Sequence, residues 1–368
     1  MSSFPAVKAL GCAAAVGLGV VAGRILFPRL FRCARKATKA RTTLDEVDAK
    51  GNLVRTAAAY TSRVAAGTRF EPEAGRYHLY VSLACPWANG TLGALKYKGL
   101  DKVIGHSIVH PTWGRTKPND QTDQHCGWYF RNPGDPPVPN SLGYGSFDCD
   151  DALVPDSLNG CKTIRDLYEL ANDEIGKYST PVLWDKKLRT IVCNESMEIL
   201  KTFDSAFDAF AEHPERKLFK PEEMAEAEKL NEFIYPTVNN GVYRCGFAKS
   251  QEAYEKAHGE LFASLDKLEN YLARSSTKFL TGNELTWIDL RLYNTLVRFD
   301  PVYVVYFKTS HKRIADYPNL LRFVRTCYAI PEIKAVTNLK HIKMHYFTSH
   351  PALNTYGIIP AHNGPDLE

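Results

Sequence analysis

One cysteine, set between a strand and a helix, constrains this chain more than any other feature. Residues 77–83 (Tyr-His-Leu-Tyr-Val-Ser-Leu) alternate and are rich in β formers, so they predict a strand. Cys85-Pro86 follows directly, and residues 87–98 predict a helix with Pro86 suited to its first turn, where a missing N–H costs nothing. A thiol at such a junction faces unpaired backbone N–H groups and the positive end of the helix dipole. Both stabilise a thiolate and can bring a cysteine below its usual pKa of ~8.5. No second cysteine stands nearby in a Cys-x-x-Cys pair. A dithiol enzyme resolves its own mixed disulfide; a lone thiol must use an external one, such as glutathione. A buried structural thiol is the alternative, and for the other eight cysteines it is the default.

The elements around Cys85 extend the pattern. Residues 103–109 predict a second strand, 161–171 a helix, 181–184 and 190–193 two further strands, and a helix begins near Glu195. The resulting order, β-α-β-α-β-β-α, is thioredoxin-like. Between its halves lies a stretch, 111–160, rich in Pro, Gly, Asn and Asp. That is too long for an ordinary connection inside a domain and reads as an elaborated insertion. Beyond residue 211 the strand signals stop, and residues 221–235, 251–273, 287–298 and 318–328 carry helical periodicity. Thr286-Trp-Ile-Asp289 has the spacing of a capping box. The expected architecture is an α/β thioredoxin-like domain over 45–210 followed by an all-α domain over 211–368.

Charge separates a leader from this body. Residues 1–44 carry eight Lys or Arg and no acid, which leaves 38 basic against 41 acidic residues in the remainder. A nucleic-acid binder concentrates positive charge on its folded domain, so that class is excluded. Residues 9–23 are uncharged and rich in Ala, Gly and Val; fifteen residues are short of the ~20 that span a bilayer. An acid-free, Arg-bearing leader of this kind predicts cleavable targeting to a mitochondrion or plastid. A signal anchor facing the cytosol, with membrane contact through 9–27, and a cytoplasmic protein with a disordered tail are the alternatives. Nine scattered cysteines predict a reducing compartment rather than a disulfide framework. His341 and His345 sit one helical turn apart, but no acidic or Cys partner follows at ligand spacing, so no metal site is expected.

Several motifs stand in collinear order over about residues 70–360: Cys85-Pro86-Trp87-Ala88, Gly127-Trp128, Thr180-Pro181-Val182-Leu183-Trp184-Asp185, Asn194-Glu195-Ser196, Asn240-Gly241-Val242-Tyr243, Arg298-Phe-Asp-Pro-Val-Tyr303 and His345-Tyr346-Phe347. Together they resemble the glutathionyl-hydroquinone reductases, the xi class of glutathione transferases. The resemblance implies reduction of glutathionyl-hydroquinones to free hydroquinones through a Cys85–glutathione mixed disulfide, with a second glutathione consumed and glutathione disulfide released. Glutathione then acts as co-substrate, and no bound cofactor is implied. Pro181 would be cis, presenting the Val182 backbone to the cysteinyl part of glutathione. Ser196 would hold the γ-glutamyl carboxylate and Glu195 the ammonium, with Trp128 along the tripeptide. Without the resemblance, Asn194-Glu195-Ser196 reads as a helix N-cap and Trp128 as a loop anchor. Tyr243, Tyr303 and Tyr346 would form the hydroquinone pocket, with Tyr306 a neighbour able to replace Tyr303. A homodimer is also implied.

The chain departs from the family where Asn89-Gly90 stand in place of a common His-Arg, which removes a cation near Cys85, and in a longer 133–160 segment. An omega-like thioltransferase or dehydroascorbate reductase shares the lone cysteine and is the nearest alternative. A non-catalytic glutathione-binding module is a third.

Overall fold

The computed structural model describes residues 40–42 and 45–368, so the leader and its proposed targeting run lie outside the described residues apart from residues 40–42. Arg41 is tied to the folded body, donating its N–H to the Gly176 carbonyl at 2.8 Å. Among the described residues no helix is long and apolar enough to cross a membrane.

Strand β1 (Tyr77–Val81) runs into helix α1 (Pro86–Tyr97), and β2 (Gly105–Ile108) returns parallel to β1. After helix α2 (Ile164–Leu170), β5 (Val182–Asp185) pairs antiparallel with β1, and β6 (Thr190–Cys193) closes the sheet in the order β2-β1-β5-β6. Helix α3 (Ser196–Ser205) follows. Alternation along β1 decides the layers, because successive side chains point to opposite faces. Tyr77, Leu79 and Val81 pack with Leu92 and Leu95 of α1 and Phe203 of α3. Tyr80 faces the other way, onto Leu167 and Tyr168 of α2, Trp184, Trp128 and Phe130. Arg76 grips Asp185 through Nη2 at 2.5 Å and Nε at 3.0 Å, locking the start of β1 to the end of β5.

The expected helix over 161–171 is shorter, because Thr163 is its N-cap. Thr163 Oγ1 accepts from the Asp166 N–H, and Asp166 accepts from the Thr163 N–H, so no turn forms before Ile164. The long insertion is mainly turns, with a two-stranded ladder of β3 (Gly114–Arg115) and β4 (Cys126–Gly127) that carries Trp128 toward the main sheet.

The helical half holds α4 (Met224–Phe233), α5 (Gly241–Gly246), α6 (Gln251–Arg274), α7 (Trp287–Leu296), a short α8 (Val304–Tyr306), α9 (Pro318–Tyr328), α10 (Pro331–Val336) and α11 (Leu339–Thr348). The expected 221–235 and 287–298 helices each run into a π-helical turn, Ile234–Asn239 and Phe299–Tyr303. Each turn contains a proline, Pro236 or Pro301, whose missing N–H breaks the α-helical ladder. The Thr286–Asp289 capping box is present. Asp289 also accepts from the Leu280 N–H at 2.8 Å, tying the preceding loop to α7. Burial raises its carboxyl to about 6 despite these bonds.

One buried side chain joins the halves at the critical point. Arg298, fully buried after α7, donates from Nε to the Ala84 carbonyl at 3.0 Å and from Nη2 to the Leu83 carbonyl at 2.9 Å. Its Nη1 bonds the Asn294 carbonyl at 2.6 Å. Helix α1 is wedged beside it: a Cβ on Gly93 would lie 3.2 Å from Ile333, and one on Gly90 would lie 3.4 Å from Asn294. Arg298→Met should strand these carbonyls at about 1–3 kcal/mol each. Chemical denaturation of the purified variant checks this, with a summed loss of about 3 kcal/mol or more expected; a loss below about 1 kcal/mol would contradict it.

Candidate active site

Cys85 is the N-cap of α1, in extended backbone geometry and half-buried, with no side-chain cap bond of its own. Its carbonyl accepts from Asn89 at 2.8 Å, which starts the helix, and Pro86 at the first position has no N–H to offer. The thiol is held toward the Thr180 carbonyl at 3.7 Å. It opens into a cavity of about 500 Å³ walled by both halves of the protein.

One side of this cavity is built from the sheet. The Thr180–Pro181 bond is cis, as the resemblance implies. Val182 opens β5 opposite Tyr80 and is fully buried, so its side chain does not form the wall. The β5–β6 ladder has its last pair at Leu183–Cys193, and the next N–H, of Asn194, turns away to the Tyr60 carbonyl at 2.8 Å. Glu195 is the N-cap of α3, accepting from Met197 at 3.3 Å, while Ser196 opens the helix; both line the cavity. Glu195 therefore caps the helix and faces the cavity at once. Trp128 also lines the wall, held face to face with His345 at 4.4 Å and edge to face with Trp113 at 5.5 Å.

His345 is held by hydrogen bonds at one ring nitrogen. Its Nδ1 lies 3.0 Å from the Pro111 carbonyl and 2.9 Å from the Ser349 hydroxyl, which together anchor the ring. Burial, then His350, hold its pKa well below the ordinary range, so the ring is neutral. His341, one helical turn before it, bonds Asp150 at 2.8 Å.

The other side is phenolic. Tyr243 and Tyr346 line the cavity with hydroxyls 2.6 Å apart. Tyr303 does not line it: the side chain is fully buried behind Tyr346, at 3.2 Å between hydroxyls, which corrects the expectation that it faces the same space. Tyr303 is the last residue of the π turn in front of α8. Tyr306, its expected substitute, bonds His350 at 2.9 Å. Burial pushes all three pocket phenols up, and for Tyr243 the Cys85 thiol adds to the effect, so they remain protonated. Three hydroxyls share two contacts. In each contact either hydroxyl can donate, and the three phenols form one hydrogen-bonded cluster whose Tyr243 and Tyr346 members reach the cavity.

Several wall residues escape the motifs. Trp113, Tyr235, Phe247, Arg291 and His350 line the cavity, and so do Arg55–Ala59 and Thr61 of a strap that crosses its mouth. The strap is pinned at one end where Lys249 donates to Gly51 at 3.0 Å and at the other by Tyr60 to the Asn194 side chain at 3.1 Å. Asn89 turns away from Cys85 and donates to the Val336 carbonyl at 2.7 Å. The absent His-Arg pair is thus replaced by packing contacts of α1.

Residues 251–326 match the glutathione S-transferase C-terminal domain. The chain is 43% identical to the glutathionyl-hydroquinone reductase YqjG of Escherichia coli over 81% of this chain and 83% of that one. The glutathione-bound structure of YqjG superposes with a TM-score of 0.71, covering 84% of this chain and 94% of that one. The chain is 40% identical to the glutathionyl-hydroquinone reductase PcpF of Sphingobium chlorophenolicum, over 86% and 91% of the two chains. The crystal structure of the glutathione S-transferase Xi from Phanerochaete chrysosporium is 41% identical, with a TM-score of 0.74 over 86% and 94% of the two chains. With a thioredoxin-like sheet, a lone cysteine capping α1 and a helical half of this type, the chain belongs to the glutathionyl-hydroquinone reductases, the xi class of the glutathione transferases.

Proposed function

We propose that this enzyme reduces glutathionyl-hydroquinones to hydroquinones, with Cys85 as nucleophile and glutathione as the reductant. The observation that carries the reading is the opening of Cys85 into one cavity with the Tyr243–Tyr346 hydroxyl pair. The tripeptide of the substrate lies along Trp128, the Val182 backbone, Glu195 and Ser196, with the helix α3 N-terminus drawing its carboxylate. The aromatic ring lies among Tyr243, Tyr346 and Trp113.

The Cys85 thiolate attacks the glutathionyl sulfur in line with the sulfur–ring bond. That bond breaks, its electron pair passes to the ring, and the ring carbon takes up a proton. The Tyr243 O–H donates to a ring oxygen as charge develops there. A second glutathione attacks the glutathionyl sulfur on Cys85, forms glutathione disulfide and releases the Cys85 thiolate. The proton that its thiol gives up balances the one taken by the ring. Tyr303 acts through Tyr346, whose hydroxyl it bonds at 3.2 Å.

The same reading takes residues 1–44 as an organelle-targeting leader and the protein as a homodimer. Deleting the leader should alter location without altering catalysis.

Cys85→Ala should abolish turnover while the fold and glutathione affinity survive, as read by steady-state kinetics, circular dichroism and calorimetry. Cys85→Ser should be equally inactive, because a serine hydroxyl is far too weak an acid to ionise here. Near-wild-type turnover in either would remove the nucleophile assignment.

The phenols separate this reading from a thioltransferase. A ring carbon needs electrophilic help to leave, whereas sulfur leaves sulfur readily. Tyr243→Phe should cost about 10–100-fold in glutathionyl-menadiol turnover, and Tyr303→Phe less because it does not line the cavity. Reduction of a simple disulfide by the same variants should fall by less than about threefold. Equal loss of both activities would point to damaged packing, and no loss of either would favour the omega-like reading.

A further inference from the structure

We propose that Arg55, on the strap across the cavity mouth, anchors a carboxylate of the second, resolving glutathione. The inference rests on the two-step reading above and assigns the binding site its second step requires.

The requirement follows from geometry. When the mixed disulfide has formed, the first glutathionyl group still occupies the groove of Trp128, Glu195 and Ser196. The second thiolate must approach its sulfur from the side opposite Cys85, because displacement at sulfur is in line. That side is the space the hydroquinone ring has just left. The second tripeptide therefore sits in the aromatic half of the cavity and needs a cation there for its carboxylates.

Arg55 is the lining cation available in that place. Its guanidinium lies 4.8 Å from the Tyr243 ring centroid and 5.5 Å from that of Trp87. No carboxylate pairs with it among the described residues, and its Nε is buried without a hydrogen-bond partner. The two other lining cations are engaged. Lys177 pairs with Glu46 at 2.6 Å and bonds the Thr56 carbonyl at 3.1 Å. Arg291 bonds Asn231 at 2.8 Å and lies against Tyr235, Trp287 and Trp87. A guanidinium spread over two aromatic faces keeps its N–H edge for a carboxylate, and a charge-assisted contact in a half-enclosed site contributes more than an exposed pair. The strap is pinned at Gly51 and Tyr60, so the cation is placed before the ligand arrives.

In the step itself, the thiolate of the second glutathione forms a bond to the glutathionyl sulfur. The bond from that sulfur to Cys85 breaks with its electron pair on Cys85, and the thiol proton has passed to solvent. Arg55 takes no part in the bond changes, so it is a binding residue for this step.

The test loads wild-type, Arg55→Gln and Arg55→Lys enzymes at Cys85 with glutathionyl-menadiol, removes free ligand, and follows loss of the glutathionyl group by quenched-flow mass spectrometry. Glutathione and uncharged β-mercaptoethanol serve as alternative resolving thiols. Arg55→Gln should need about 10–100-fold more glutathione to reach half its maximal rate, the range for losing one charge-assisted contact. Its rates of loading and of resolution by β-mercaptoethanol should stay within about twofold of wild type, and Arg55→Lys should recover most of the loss. Equal slowing with both thiols, no slowing with either, or a loss confined to loading would overturn the proposal. A wild-type enzyme that never gains the glutathionyl group would overturn the nucleophile reading on which it stands.

Discussion

The contact on which the rest depends is a buried arginine of the helical half holding two carbonyls of the sheet half. Arg298 donates to Leu83 and Ala84, the two residues before Cys85, and to the Asn294 carbonyl on α7. The Leu83 and Ala84 carbonyls lie where the chain leaves β1 and has not yet entered α1, so neither sheet nor helix can pair them. A fully buried guanidinium without a carboxylate partner is costly unless its donors are used, and here four of its contacts meet oxygen. The helical half thereby fixes the turn that presents the thiol, and the site cannot be assembled from the α/β half alone.

The cavity's chemistry follows from burial more than from charge. Tyr243, Tyr303 and Tyr346 stay protonated because their phenolates would be desolvated, and His345 stays neutral for the same reason. The result is a cluster of protonated phenols beside a thiol, in a cavity faced by aromatic side chains. Charge enters at the edges: Glu195 on the glutathione side and Arg55 at the mouth. That layout suits a zwitterionic tripeptide bearing an uncharged aromatic group, and it leaves the sulfur between the two regions.

Much of this was legible in the sequence where local rules suffice. The alternation of 77–83 locates β1, Pro86 marks the first turn of α1, and Thr286-Trp-Ile-Asp289 forms its capping box. Strand 190–193 and helix 318–328 have the bounds their patterns predict. Cys85, Trp128, Glu195, Ser196, Tyr243 and Tyr346 meet on one cavity, although they come from both halves of the chain. Tyr303 carries the motif of the resemblance but is fully buried behind Tyr346, a depth that a motif match does not show. The strap was invisible for a different reason. Residues 53–61 have neither strand alternation nor helical period, and their position is set by partners far away in sequence, at Asn194 and Lys249. Trp113 and His350 likewise come from a loop and a helix end, where spacing carries no signal.

The central claim is that Cys85, and no other thiol, takes the glutathionyl group from an aromatic ring. Among the described residues there are six rivals: Cys126, Cys149, Cys161, Cys193, Cys245 and Cys327. Burial pushes the thiol of each upward, and for Cys161, Cys193 and Cys245 to about 12. The direct measurement is peptide mapping by mass spectrometry after fully reduced enzyme, freed of thiol, meets an equimolar amount of glutathionyl-menadiol. The account predicts one glutathionyl group per chain on the peptide that contains Cys85, with an equal amount of menadiol released. Menadiol released while Cys85 remains free, or the group found on another cysteine, would contradict it.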